Sequence, residues 1–189
     1  MKRELKRALG MIGLCLCVGL LVATIGSADT PATQPADDGA IRIKAGSDKP
    51  FTDPHGHIWQ ADKGFDGGDT AERDATLKIS NTDMPAFYLT EHYDMTGWSG
   101  DVPNGTYTVK LYFCETYDGV TDAGQRVFNV KIGDQAIKNL DVFKEAGGSQ
   151  KPLIKTFEKV VVTDGKLKIG FDAGQQSPEI NGIEIIPHN

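Results

Sequence analysis

Cysteine is nearly absent from the body of this chain. Of three in 189 residues, Cys15 and Cys17 sit in one apolar run near the N-terminus and only Cys114 follows. A solitary thiol makes no internal disulfide, so stability has to come from a packed core. Positive charge is also short: 20 Lys and Arg stand against 26 Asp and Glu, a net charge of -6. Such a chain repels phosphate backbones and anionic headgroups, which argues against nucleic acid or an anionic membrane as partner. A nucleophile elbow, a phosphate loop and a zinc-protease helix signature are all missing, and no motif calls for a cofactor. His55, His57, His92 and His188 stand in no pattern with Cys114 that would activate it, so a buried structural thiol is expected there.

What is present begins with an export signal. Lys2, Arg3, Lys6 and Arg7 precede an apolar stretch from about Met11 to Ile25, and Gly26-Ser27-Ala28 offers small residues for cleavage. The stretch is short for a membrane helix. Residues 1–28 are therefore read as a cleaved signal peptide, with no stable membrane insertion afterwards and a secreted or periplasmic destination. Leu14 and Leu16 are bulky where a lipoprotein signal has a small residue. Cleavage removes four basic side chains and one acidic one, leaving 16 basic against 25 acidic, a balance of -9. Residues 29–40, with Pro31 and Pro35 among small and acidic residues, read as a flexible tether. Residues 41–189 are then one domain.

Within that domain the hydrophobic period is two. Residues 41–45, 86–93, 107–117, 126–132, 154–162, 166–171 and 180–186 carry the β-branched and aromatic content of strands. Tyr107, Val109, Leu111 and Phe113 alternate with Thr108 and Lys110, the mark of a strand with one face in a core. Asn104-Gly105 and Asp164-Gly165 are two-residue hairpin dipeptides, predicting that each joins the strands flanking it. Asn104-Gly105-Thr106 is also a formal glycosylation sequon, but the turn explains the same residues. Only Asp141 to Ala146 suggests a helical turn. The expected fold is all-β, an antiparallel jelly-roll-like β-sandwich with little helix.

Several clusters suggest chemistry. Asp53-Pro54-His55-Gly56-His57 places two imidazoles beside a carboxylate, which suits a metal or an ordinary turn; no second ligand cluster accompanies it, and no metal site is assigned. Glu91, Glu115, Asp118 and Asp122 offer carboxylates, whose use in glycoside hydrolysis depends on separations that sequence does not supply. Glu115, Tyr117 and Asp118 fall where the long strand emerges at the rim, the kind of position that holds polar ligands.

Ordered motifs carry a family resemblance. Ile43-Lys44-Ala45-Gly46, Trp59-Gln60-Ala61-Asp62, Thr90-Glu91-His92-Tyr93, Gly105 to Val109 running into Phe113-Cys114-Glu115-Thr116-Tyr117, Gln125 to Val130, Asn139 to Val142 and Pro178 to Ile185 together resemble malectin and the malectin-like carbohydrate-binding domains over nearly all of residues 40–187. The resemblance implies a sandwich that binds an oligosaccharide or polysaccharide, in malectin a glucose-containing one, at loops on one end and without catalysis. It implies that Tyr93 and Tyr117 match sugar-contacting tyrosines. Asp118 stands where malectin has an aromatic residue, and Gln176 where it has a binding aspartate. A further malectin tyrosine has no aromatic counterpart between Gly67 and Ala71. The expected carbohydrate site is thus Tyr93, Tyr117, Asp118, Glu91 and Gln176, the rings covering a pyranose face and the polar groups meeting hydroxyls. Trp59 reads as core, and the Trp98 loop as a further place for a ring. A glycan-active enzyme or a cell-surface protein is the natural partner. A glycoside-processing enzyme using rim carboxylates and a structural or protein-interaction sandwich remain the alternatives.

Overall fold

The computed structural model describes residues 38–188; the signal segment and most of the tether lie outside the described residues. The strands are β1 (Ile41–Lys44), β2 (Phe51–Thr52), β3 (Ile58–Trp59), β4 (Phe65–Asp66), β5 (Asp69–Glu72), β6 (Thr90–Tyr93), β7 (Gly97–Asp101), β8 (Gly105–Cys114), β9 (Val127–Ile132), β10 (Gln135–Leu140), β11 (Pro152–Val162), β12 (Lys166–Gln175), β13 (Glu179–Ile180) and β14 (Gly182–Pro187). One short helix, α1 (Val142–Ala146), follows an Asp141 cap whose carboxylate accepts from the Lys144 N–H, and ends at Gly147 in the left-handed conformation. Two sheets dominate, ordered β1-β14-β8-β11 and β10-β9-β12-β7-β4. Their strand pairings are antiparallel, as the sandwich reading requires.

The alternation of β8 decides the packing. Val109, Leu111 and Phe113 are fully buried and share one cluster with Phe128, Val130, Ile132, Ile169 and Phe171 of the other sheet. The opposite face of β8 is not free either. Tyr112 and Cys114 lie beneath Trp59, Phe87 and Tyr88, with Trp59 meeting Phe87 at 4.6 Å and Tyr112 at 5.1 Å between ring centroids in edge-on contacts. Cys114 is therefore buried although its parity is opposite to Phe113, and that burial pushes its thiol pKa up.

Several local expectations need correction. Residues 86–93 do not form one strand: Pro85–Leu89 is a 3-10 turn that drops Phe87 and Tyr88 into the second cluster, and only Thr90–Tyr93 is extended. The long strand ends at Cys114 rather than Tyr117. Neither hairpin dipeptide makes a hairpin. β8 pairs with β11 and β14, whereas β7 pairs with β12 and β4, so Asn104-Gly105 and Asp164-Gly165 both carry the chain from one sheet to the other. The two crossings clasp each other: Gly165 N–H donates to Asn104 Oδ1 at 2.8 Å, and Val102 N–H to the Gly165 carbonyl at 3.0 Å. Dipeptide chemistry sets local curvature, but the choice of partner belongs to the sheets. The tight connection that does form a hairpin is Gly133-Asp134, between β9 and the unanticipated strand β10.

A small sheet, ordered β13-β6-β5, sits apart from the large pair. Lys44 ties it to β1. Its buried ammonium donates to the carbonyls of Ala45 at 2.6 Å, Thr90 at 3.0 Å and Asn181 at 3.3 Å, and burial pushes its pKa down to about 7.

Candidate functional site

Five segments converge at the small sheet, the first being β5, which brings Ala71 and, just beyond it, Arg73. β6 brings Glu91 and Tyr93, the chain leaving β8 brings Glu115, Thr116 and Tyr117, the approach to β9 brings Arg126, and the turn after β12 brings Gln176 and Ser177. Gln176 holds a positive φ of 64°, the conformation that reverses the chain between β12 and β13. Between them is a cavity of about 280 Å³, near the lower end of small-ligand pockets. Its lining includes Glu91, Tyr93, Tyr117 and Gln176, together with Arg73, Arg126, Ala71 and Ser177. Asp118 is exposed and does not line it.

Tyr117 is 45% exposed, an unusual state for a large ring beside a rigid sheet. A turn holds it there, with Val120 N–H donating to the Tyr117 carbonyl at 3.0 Å. Gly119 lies against the ring, and a Cβ at that position would overlap it. The Arg126 guanidinium stands 5.9 Å from the ring centroid, within range of a cation–π contact. Tyr93 is half-buried and faces Asp69 on one side and Glu179 on the other in strand register. Ala71, also on β5, supplies a small side chain to the wall, in the stretch where the resemblance implied a further tyrosine and this sequence has no ring.

An ionic network runs from the lining into the wall behind it. Arg73 donates from Nη2 to Glu91 Oε1 at 2.6 Å and from Nε to Thr116 Oγ1 at 3.0 Å, while the Thr116 hydroxyl donates to Glu91 Oε2 at 3.1 Å. Glu91 is 3% exposed, with both oxygens occupied. Arg126 Nε lies 2.8 Å from Glu115 Oε2 in an ion pair whose N–H is not aimed at the oxygen, and Arg126 Nη1 donates to the Ser177 carbonyl at 2.9 Å. Glu115 Oε1 accepts from the Tyr117 N–H at 3.0 Å, which fixes the start of the Tyr117 turn. Glu115 is fully buried, not a rim residue, and burial raises its pKa against the pull of Arg126.

Glu179 completes the group. It is fully buried, and neither carboxylate oxygen finds a hydrogen-bond partner among the described residues. Burial first, then the neighbouring Glu91 and Glu115, push its pKa well above the usual carboxylate range. The sequence reading assigned no role to Arg73, Arg126 or Glu179. Their signal is weak in one dimension, because such an arginine is recognised only by the carboxylate it meets, and Arg73 and Glu91 lie 18 residues apart.

Other expected positions resolve differently. Trp59 is in the core, and so is Trp98: it is 3% exposed, with its Nε1–H donating to the Lys63 carbonyl at 2.8 Å, so no exposed ring is offered there. Asp53 closes a turn, accepting from the His55 and His57 N–H groups at 2.9 Å each and from Trp59 Nε1 at 3.2 Å. No cluster of three metal-binding side chains occurs among the described residues. A groove of about 310 Å³ between the β9–β10 and β11–β12 turns is edged by Lys159, Lys166 and Lys168, with no aromatic side chain in its lining.

The fold and this site can be set beside known proteins. The family model for the malectin domain matches residues 40–186. Among curated relatives, a probable receptor-like protein kinase of Arabidopsis thaliana, At5g39020, is 28% identical over 68% of this chain and 17% of its own. A second from that plant, At5g39000, is 40% identical over 59% of this chain and 14% of its own. The chain thus spans less than a fifth of the length of either. In solved structures, the beta-glucuronidase of Bacteroides uniformis shares the fold with a TM-score of 0.70 at 21% identity, over 79% of this chain and 18% of that one. The plant receptor-like kinase FER does so with a TM-score of 0.68 at 21% identity, over 79% of this chain and 49% of that one. At such identity these two speak for the fold alone. The chain belongs to the malectin domain family.

Proposed function

We propose that this chain is an exported, non-catalytic carbohydrate-binding domain whose ligand enters the cavity between Tyr93 and Tyr117. The observation that carries the reading is the exposed Tyr117 ring, propped by Gly119 at the mouth of a cavity lined by polar side chains. A pyranose presents an apolar C–H face to such a ring and hydroxyls to the groups around it. Tyr93 and Gln176 line the same cavity, and Glu91 holds Arg73 in its wall; Asp118, outside the lining, meets only a ligand that extends beyond the mouth. Glu91 is the single carboxyl group in the lining and both its oxygens are bonded, whereas glycoside hydrolysis uses a facing pair. No helix among the described residues is long and apolar enough to cross a membrane. An enzyme or cell-surface protein that handles the same glycan is the partner this reading implies.

The test is titration of the purified protein against a glycan panel, with reducing ends assayed after long incubation. Binding without release of reducing ends is expected. Turnover would move the protein to the enzymes, and absence of binding to any glycan would remove the carbohydrate reading. A peptide ligand is the second reading, favoured by β5, which is exposed at the open edge of its sheet beside the cavity and offers backbone groups to an added strand. A relative of similar fold, FER, is known in complex with the peptide RALF23 and LLG2.

A further inference from the structure

The charged acceptor of the cavity is engaged, whereas two guanidinium groups keep free donors. Both Glu91 oxygens are taken by Arg73 and Thr116. Glu115, behind the wall, gives one oxygen to the Tyr117 N–H and sets the other against Arg126. By contrast, a guanidinium carries five N–H donors in a planar fork. Arg73 donates through Nε and Nη2 and Arg126 through Nη1, with its Nε set against Glu115 in an ion pair, so Arg73 Nη1 and Arg126 Nη2 have no protein partner among the described residues, although both side chains line the cavity. Gln176, the other long polar side chain of the lining, is uncharged.

From this imbalance we infer that the cavity is selective for glycans that carry a carboxylate, with a uronate group seated between Arg73 and Arg126 while Tyr117 covers the ring. This rests on the carbohydrate reading above and narrows it. A neutral sugar asks the site for acceptors as well as donors, because each hydroxyl has a proton to place. A carboxylate asks only for donors, and the guanidinium fork matches its two oxygens. Glu179 does not line the cavity, and burial beside Glu91 and Glu115 raises its pKa, which favours its neutral form. The acidic surface disfavours anions at long range, and the arginine pair gives the recognition its short-range character.

The full chain is to be titrated by calorimetry with α-1,4 and β-1,4 gluco-oligosaccharides and with the same oligosaccharides oxidised at C6. In parallel, affinity electrophoresis is run through gels holding neutral or uronate polysaccharides. The inference expects tighter binding of an acidic ligand than of its neutral counterpart, by about tenfold or more, and an advantage that shrinks with added salt. Arg73→Gln should abolish the advantage and Arg73→Lys should keep part of it, with thermal melts to check folding. If Arg73→Gln fails to fold, the paired ligands and their salt dependence in the parent protein decide alone. Equal or tighter binding of neutral glycans overturns the inference and leaves the carbohydrate reading standing. Retention by neither class overturns both.

Discussion

Tyr117 owes its exposure to its neighbours. Gly119 leaves room for the ring, Glu115 anchors the backbone behind it, and Arg126 stands over it. Tyr117→Ala is expected to weaken glycan binding by about 1–3 kcal/mol, the range of an aromatic contact with its buried area, with little change in Tm. Gly119→Ala pushes the ring aside and should produce much of the same loss with the ring still present. Calorimetric titration with melts of both variants checks this; full affinity in both would place the ligand elsewhere. Glu179 makes a pH prediction. Its folded pKa lies above the unfolded value of about 4.3, so the folded state holds the extra proton and the group's contribution to stability declines as pH rises above that point. Glu179→Gln keeps the shape and cannot ionise. The parent should therefore lose stability relative to the variant between pH 4 and pH 8 in urea midpoints, and a constant difference would refute the protonated carboxyl.

At the scale of elements, the small sheet is held to the domain through side chains more than through strand length. Behind β6, His92 bonds through one ring nitrogen to Asp62 Oδ2 at 2.9 Å and through the other to the Gly67 carbonyl at 3.0 Å, stacked on Phe65 with centroids 4.1 Å apart. Two acceptors ask for two protons on the ring. Burial opposes the charge, but Asp62 and the Gly67 carbonyl outweigh it, so the pKa is raised. The stabilisation is then complete below the unfolded pKa of about 6.5 and is lost as pH rises through the folded value. In His92→Gln this loss should disappear from the pH series, and an unchanged slope would show that His92 is not its source. At the other connection, the Asn104–Gly165 clasp joins two sheet-crossing turns with one side-chain hydrogen bond. Asn104→Ala should cost about 0.5–1.5 kcal/mol in denaturant unfolding, the net value of such a bond, with glycan affinity unaltered.

For the whole molecule, the arrangement separates stability from recognition. The two large sheets bury the main cluster, while the site is assembled from β5, β6 and three connecting segments. The proposed export belongs to this scale as well. Intact-mass analysis of the secreted protein is expected to show an N-terminus at or near Asp29, and recovery of the full-length chain from the membrane fraction alone would refute it.

The sequence by itself determined the layered β architecture, because a period of two along strands such as β8 can be satisfied only by a sheet with a buried face. It also determined the family, through the order of its motifs, and it pointed to Tyr93 and Tyr117, whose positions those motifs mark. Tertiary structure alone decided which strands pair, since Asn104-Gly105 and Asp164-Gly165 have hairpin chemistry but cross between sheets. It also decided the charge of the site. Arg73 and Arg126 find Glu91 and Glu115 across gaps of 18 and 11 residues, and Glu179 comes to lie unpartnered near them. Strand periodicity is local and is written residue by residue. A buried ion pair exists only when the fold brings both ends together, because desolvation makes either charge costly alone.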